Sequence, residues 1–341
     1  MDILENIPLA PLTTLKIGGP ARYFVSAETE TDVVEALEYA SRYSLEVFIL
    51  GGGSNILVSD SGFDGLVLHT GLKGVAYDRF DKSLTVTAMA GEDWDVLVDS
   101  CVNSGFAGLE CMSGIPGFVG GTPVQNVGAY GQEVAETIET VRCLDRLTGQ
   151  IVDLSNAECG FSYRTSIFNA SERGRYIVLS VAYRFTPGGE PKVVYKDLIE
   201  RFADHKPTLV ELRNAVLEIR RSKSMVIDAN DPNSRSAGSF FKNPIVTAAQ
   251  LDELREKRGS VPSFEFGNDF KVPAAWLIEH AGFQKGYKLG KAGISSNHTL
   301  AIVNMGDASA ADVIALKDLI QSKVLTEFGI ALTPEPILVG F

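Results

Sequence analysis

The chain has 341 residues, 45% of them hydrophobic, and a formal net charge of −12, so it can bury a large apolar core and fill two or three domains. This acidity, with no long run of Lys or Arg, argues against nucleic-acid binding. A few local cations and backbone N–H groups still suffice for an anionic small molecule. The opening stretch has no basic residue before Lys16 and no long apolar run, so neither a signal peptide nor a membrane anchor is expected, and the cytoplasm is the expected location.

In chain order, apolar positions Val33, Val34, Leu37 and Ala40 predict a helix over Asp32 to Tyr43, followed by strands at Val47 to Leu50, Ile56 to Val58, Leu66 to Leu68 and Leu84 to Ala88. Trp94 to Asn103 reads as a helix stopped by Gly105. The stretch from Ile151 to Phe185 favours strands and turns, with Ile177 to Tyr183 the clearest strand. Thr208 and Glu211 then form a capping box in front of the stripe Leu209, Leu212, Val216 and Ile219. The polar segment Ser222 to Ser236 reads as a passage into another domain. Two further helices are expected, one from near Pro273 to Gly282 and one from Ala310 to Phe328 before Gly329, with a strand at Leu300 to Val303 between them. There is no internal repeat or low-complexity tract.

Two segments carry unusual chemistry. Gly51-Gly52-Gly53-Ser54-Asn55 follows a buried strand directly, and consecutive glycines there either turn several N–H groups toward one anion or simply make a tight turn between strands. The pattern is neither G-x-G-x-x-G nor a Walker loop, so a Rossmann site and a P-loop are not indicated. The second segment, residues 114–131, packs six glycines into a mostly uncharged stretch, which suits contact with a large flat cofactor better than an ordinary loop. The four cysteines, Cys101, Cys111, Cys143 and Cys159, form no C-x-x-C pair and read as reduced structural thiols. The histidines His69, His205, His280 and His298 show no metal-ligand spacing, and no G-x-S-x-G elbow occurs, so metallohydrolase and serine-hydrolase chemistry are unsupported.

With GGGSN followed by IPGFVGGTPVQNVGAYG, then FSYRTSIF, AGSFFKNP and LTPEP in order, the chain resembles the UDP-N-acetylenolpyruvylglucosamine reductase (UDP-N-acetylmuramate dehydrogenase) family, in its longer class with a substrate-covering tyrosine. The resemblance implies an α+β protein with a vanillyl-alcohol-oxidase-like (PCMH-type) FAD-binding domain of two α+β subdomains, residues 1–70 and 71–224. A C-terminal α+β substrate domain, 225–321, and a tail, 322–341, returning to the active cleft complete it. It implies non-covalent FAD, since no histidine stands beside GGGSN in sequence, NADPH as reductant, a UDP-linked amino-sugar substrate, and a monomer without nucleic-acid or membrane partners. Cofactor contacts are expected from Gly51, Gly52, Gly53, Ser54 and Asn55, and from Ile115, Pro116, Gly117, Gly120, Gly121, Thr122, Gln125, Asn126, Gly128, Ala129 and Tyr130.

The same resemblance assigns chemistry to residues that are ordinary on their own. Ser239, by itself a turn or capping serine, becomes the acid that protonates the substrate carbon next to the carboxylate after hydride reaches the other alkene carbon. Arg164, otherwise a surface ion-pair residue, becomes the fork that holds the enolpyruvyl carboxylate. Glu335, otherwise a solvated turn carboxylate between two prolines, becomes a second active-site polar group. Tyr195 matches the covering tyrosine, with a core tyrosine as the alternative, and Lys223 and Asn243 match contacts to the nucleotide sugar. The polar stretch Met225 to Arg235 is longer than in many relatives, and Arg221 is the alternative to Lys223. Two other readings stand beside this one: an FAD-dependent alcohol or sugar oxidase on the same scaffold, and a non-catalytic nucleotide-binding protein that keeps the glycine loops for phosphate affinity.

Overall fold

The computed structural model describes residues 1–80 and 83–341. They divide into two compact units, one formed by Met1–Ile7, Ala21–Gly53 and Asp64–Val226, the other by Pro8–Pro20, Ser54–Phe63 and Ile227–Phe341. The chain thus passes from one unit to the other several times within its first seventy residues or so, an interleaving for which the sequence gives no sign. Helices and strands are mixed in both, as an α+β protein requires. Among the described residues no helix is long and apolar enough to cross a membrane.

The first unit holds a four-stranded sheet in the order Leu4–Pro8, Pro20–Ala27, Phe63–Thr70, Val47–Leu50. The last pair is parallel, with Val47 opposite Leu66 and Leu50 opposite His69. Helix Glu30–Arg42 begins at a reciprocal capping box between Thr29 and Asp32 and buries Val33, Ala36 and Ala40, a cap that contributes about 1 kcal/mol. A five-stranded antiparallel sheet follows in the order Ile151–Ser155, Ile138–Asp145, Tyr176–Phe185, Ser83–Met89, Val75–Phe80. Within Ser83–Met89 the residues Leu84, Val86 and Ala88 are buried while their neighbours are half-exposed, the period-two alternation of a strand with one face on the core.

Helix Trp94–Asn103, capped by Asp93, sends Trp94 fully into that core, where the indole N–H finds the Met112 carbonyl at 3.1 Å. The expected capping box opens helix Leu209–Ser222. On that helix Arg213 reaches both oxygens of Asp95 at 2.7 and 3.0 Å and Asp99 at 3.0 Å. A second buried polar centre is Glu110, whose carboxylate takes the Gly108 N–H at 2.6 Å, the Gln132 amide at 2.7 Å and the Lys192 N–H at 3.0 Å. All four cysteines are buried and unpaired as disulfides, and burial pushes the Cys101, Cys111 and Cys159 thiols up to about 12.

The second unit is built on short strands and three helices. Ile56–Val58 pairs in parallel with Ile337–Val339, Ile245–Val246 and Phe264–Phe266 flank Asp269–Lys271, and Lys288–Leu289 and Ile302–Asn304 flank Ala292–Ile294. Helix Ala310–Phe328 runs from a Ser309–Asp312 capping box to a left-handed Gly329, as its sequence signals require. Its N-terminal N–H groups at Ala310 and Ala311 donate to the Asp60 carboxylate at 2.7 and 3.1 Å. Helix Ala274–His280 starts after Pro273. Helix Ala248–Arg258, opened by a Thr247–Gln250 capping box, is absent from the sequence reading. The expected strand at Leu300 begins later, at Ile302, because Ala301 N–H turns back to the His298 carbonyl at 3.1 Å.

Buried Asp145 is bridged by the Arg175 fork at 2.8 and 3.1 Å. This hydrogen bonding holds its carboxyl down to about 2, against the opposing effect of burial. A depressed carboxyl stabilises the fold above its unfolded pKa of about 4, and that contribution is lost as pH falls from about 4 to about 2. Arg175→Gln should therefore lower the urea midpoint at neutrality, and the difference from wild type should shrink as the titration is carried toward pH 2.

Candidate functional site

In the first unit the strand Val47–Leu50 runs directly into Gly51, Gly52 and Gly53. A Cβ on Gly52 would stand 2.6 Å from the Gly117 Cα, so the two glycine-rich segments meet backbone to backbone. Gly53 at φ +62° and Gly117 at φ +124° occupy backbone conformations that favour glycine, while Gly51 and Gly121 face open space. The second segment is fastened to the strand-to-helix turn before Trp94: the Gly117 carbonyl accepts from Trp94 at 3.0 Å, and the Val119 and Gly120 N–H groups donate to Glu92 and Ala90, each at 2.9 Å. Gly120 is required by packing, since its Cβ would lie 2.7 Å from that of Ala90. Ile115, Pro116 and Gln125 are half-buried along the same segment.

The segment then folds into a hairpin in which Gly128–Ala129 pairs with Gln132–Glu133. At its tip both Tyr130 at φ +49° and Gly131 at φ +86° are left-handed, the requirement of the tightest hairpin turn. Two expected cofactor contacts have their side chains engaged within the protein. The Thr122 hydroxyl donates to the Val119 carbonyl at 2.8 Å and lies 2.9 Å from the Tyr183 hydroxyl. The Asn126 amide donates to Glu133 at 2.7 Å and to the Ser162 carbonyl at 3.0 Å, and accepts from Ala135 N–H at 3.2 Å. Asn126 thereby ties the glycine segment to the turn that carries Arg164.

That turn is closed by reciprocal backbone bonds between Ser162 and Thr165, at 2.9 and 3.1 Å. Arg164 sits in it with φ +53°, a costly conformation for a side-chain-bearing residue and one that clusters at functional sites. Its guanidinium donates to the Gly128 carbonyl at 2.8 Å and lies 5.6 Å from the Tyr163 ring centre.

Tyr195 stands at the start of helix Lys196–Arg201, its ring edge-on to Tyr130 with centroids 5.1 Å apart. Burial pushes the Tyr130 phenol up to about 12. Lys223, at the end of helix Leu209–Ser222, forms an ion pair with Asp197 at 3.7 Å. Beside these residues lies Arg220, missed by the sequence reading and only 7% exposed. One of its terminal nitrogens donates to the Met225 and Gly114 carbonyls at 2.8 and 3.3 Å, but its Nε has no hydrogen-bond partner among the described residues. A buried guanidinium with an unsatisfied N–H is costly until an acceptor arrives. Together with the glycine contact, it fits a cofactor rich in carbonyl and phosphate oxygens.

Ser54 and Asn55 fall in the second unit, so the GGGSN motif is divided after its glycines. The Ser54 carbonyl accepts from Thr14 at 3.4 Å, and the Asn55 amide donates to the Glu335 carbonyl at 3.3 Å. Asn243 accepts from the first N–H of helix Ala274–His280 at 2.9 Å, which fixes its side chain in place. Ser239 and Glu335, far apart in sequence, are brought together here: the Phe240 carbonyl accepts from Glu335 N–H at 2.9 Å, and Lys242 N–H donates to Thr333 at 3.0 Å. His298 approaches the same place, with Nε2 3.4 Å from Ser239 Oγ. The polar run Ser295-Ser296-Asn297 before it was the available sequence signal.

The C-terminal domain model of UDP-N-acetylenolpyruvoylglucosamine reductase matches residues 231–339, and an FAD-binding domain model matches residues 21–155. The chain is 42% identical over 350 residues to a UDP-N-acetylenolpyruvoylglucosamine reductase of Thermobifida fusca, covering 98% of each chain. It is 43% identical over 346 residues to the protein of that name from Saccharopolyspora erythraea, covering 97% of this chain and 94% of the relative. The solved structure of the Thermus caldophilus UDP-N-acetylenolpyruvylglucosamine reductase is similar with a TM-score of 0.67 at 26% identity, over 99% of this chain and 98% of that one.

The glycine contact yields a paired prediction. Gly52→Ala should cost about 1–3 kcal/mol of unfolding free energy through forced backbone displacement, whereas Gly51→Ala, facing open space, should stay within about 0.5 kcal/mol of wild type. Denaturant unfolding of the two variants side by side checks this.

Proposed function

Since this chain belongs to the UDP-N-acetylenolpyruvoylglucosamine reductase family, we propose that it reduces the enolpyruvyl group of UDP-N-acetylglucosamine enolpyruvate to give UDP-N-acetylmuramate, a peptidoglycan precursor. The observation that carries this reading is the relationship over nearly the full length of both chains, joined to the FAD-binding match over residues 21–155. FAD supplies the hydride chemistry, with NADPH as the reductant. The working location is the cytoplasm and the working form a monomer.

The roles of the protein's own residues follow from their chemistry. Arg164, held by Gly128 and by the rigid Ser162–Thr165 turn, offers a planar fork to the enolpyruvyl carboxylate and offsets the negative charge that builds there when hydride arrives. Ser239 gives its proton to the carbon next to that carboxylate. A neutral serine is a poor acid in water, so this step relies on polar neighbours and on exclusion of solvent. Glu335, whose backbone is bonded to that of Phe240, is the second polar group at this place. Tyr195 covers the bound substrate, while Lys223 presents a point charge to the diphosphate and Asn243 contacts the sugar nucleotide.

The glycine segments and Arg220 would hold FAD, the former by offering backbone N–H groups to its pyrophosphate. An alcohol or sugar oxidase on the same scaffold needs a base to take a hydroxyl proton, and the full-length relatives carry the reductase name instead.

The test is anaerobic flavin absorbance. Protein reduced with NADPH and mixed with UDP-N-acetylglucosamine enolpyruvate should reoxidise rapidly. Persistence of the reduced spectrum until oxygen is admitted would favour the oxidase, and failure to bind flavin at all would remove the cofactor assignment. Ser239→Ala should bind FAD and substrate yet slow reoxidation by at least about 100-fold, the scale expected for loss of a positioned acid.

A further inference from the structure

Ser239 lies where three stretches of the second unit are laced together. Phe240 donates its N–H to Leu300 at 2.7 Å and accepts from Glu335 at 2.9 Å. The His298 imidazole, two residues before Leu300, brings Nε2 to 3.4 Å from Ser239 Oγ. The turn that carries this histidine is held from several sides. Asn233 Oδ1 accepts from the Ser296 N–H at 3.0 Å and from the Ser295 and Ser296 hydroxyls, each at 3.2 Å. Ser295 Oγ accepts from Asn297 N–H at 3.1 Å, Ser295 N–H donates to Ala301 at 2.9 Å, and the His298 carbonyl accepts from Ala301 N–H at 3.1 Å. Next to it the Thr299 hydroxyl donates to the Glu279 carboxylate. So many bonds fix the backbone from which the ring projects.

The direction of the Ser239–His298 bond decides what the histidine does. If Nε2 accepts, the serine proton points at the ring and away from any substrate. If Nε2 carries hydrogen and donates, the O–H is free to face the substrate, and the N–H already points at the oxygen on which negative charge will gather. A bond of 3.4 Å at rest is of the kind that tightens as that charge grows.

We propose that His298 is a positioning residue for the proton transfer, donating from Nε2 to Ser239 Oγ. It rests on the reading of Ser239 as the acid. As the Oγ–H bond breaks and a C–H bond forms at the carbon beside the carboxylate, the electron pair of the broken bond stays on Oγ, where the Nε2–H steadies it. The hydride on the neighbouring carbon is the one the reductase reaction already supplies, and Oγ recovers its proton from water.

The experiment follows the two half-reactions separately in the flavin-loaded protein, as flavin reduction by NADPH and as anaerobic reoxidation by UDP-N-acetylglucosamine enolpyruvate. His298→Leu should slow reoxidation by about 100- to 1,000-fold, the loss seen when one donor to a developing oxyanion is removed. It should leave NADPH reduction, flavin content and substrate dissociation constant unchanged, and raise the solvent deuterium isotope effect on reoxidation. His298→Gln, whose amide can donate from a comparable position, should recover reoxidation to within about 10-fold of wild type.

If Ser239→Ala reoxidises at the wild-type rate, the acid reading falls and this inference with it. If Ser239→Ala is slow but His298→Leu is fast, only the histidine's role is overturned. The role is equally overturned if His298→Gln is as slow as His298→Leu, or if His298→Leu slows both half-reactions alike or loses flavin.

Discussion

A carboxylate with no water around it must find its hydrogen bonds inside the protein, and in the first unit much of the candidate site is arranged around how Glu110 does so. Its donors come from three separate stretches: the Gly108 backbone, the Gln132 amide and the Lys192 backbone. Gln132 belongs to the hairpin that carries Tyr130, and its own amide oxygen accepts from Cys111 N–H at 2.8 Å. Lys192 leads into the stretch that carries Tyr195. One buried carboxyl group therefore sets the relation between the turn at Gly108, the hairpin that carries Tyr130 and the stretch that leads to Tyr195, because displacing any of the three leaves a buried group unsatisfied.

Polar satisfaction of this kind separates what the sequence displayed from what it concealed. Local signals were readable: the Thr208–Glu211 and Ser309–Asp312 boxes mark the starts of their helices, and the alternation through Leu84, Val86 and Ala88 marks its strand. Helix Ala248–Arg258 went unread because only Leu251 and Leu254 turn inward, too sparse a stripe to stand out even behind a Thr247–Gln250 box. In the site, glycines announced themselves, since close backbone approach demands them. Thr122 and Asn126 looked like ligand contacts, yet their side chains are bonded to neighbouring protein groups, a use that only the fold reveals. Arg220 and His298 drew no site role from the sequence for the opposite reason: each is an ordinary residue whose surroundings are assembled from distant parts of the chain.

The two units position their candidate site residues by different bonds. The first keeps its cations close to carbonyls and carboxylates, as with Arg213 on Asp95 and Arg164 on Gly128. Asp95 is depressed below the usual carboxylate range even though burial pushes it upward, because the Arg213 fork and the Gly114 N–H outweigh that burial. In the second unit main-chain bonds join the stretches that carry Ser239 and Glu335, and His298 meets Ser239 through its side chain. Main-chain lacing specifies position without adding fixed charge, which suits a place where charge must appear only during reaction.

The pairing of Ile56–Val58 with Ile337–Val339 has a bearing on biosynthesis. A ribosome delivers the first of these strands long before the second, so the hydrophobic side of the earlier strand waits for its neighbour while everything between them is made. Contacts between such distant stretches form slowly, and the waiting chain is exposed to misassociation meanwhile. The second unit thus reaches its final form only once both strands have been made, and chaperone attendance on nascent chains matters more for it than its modest size suggests.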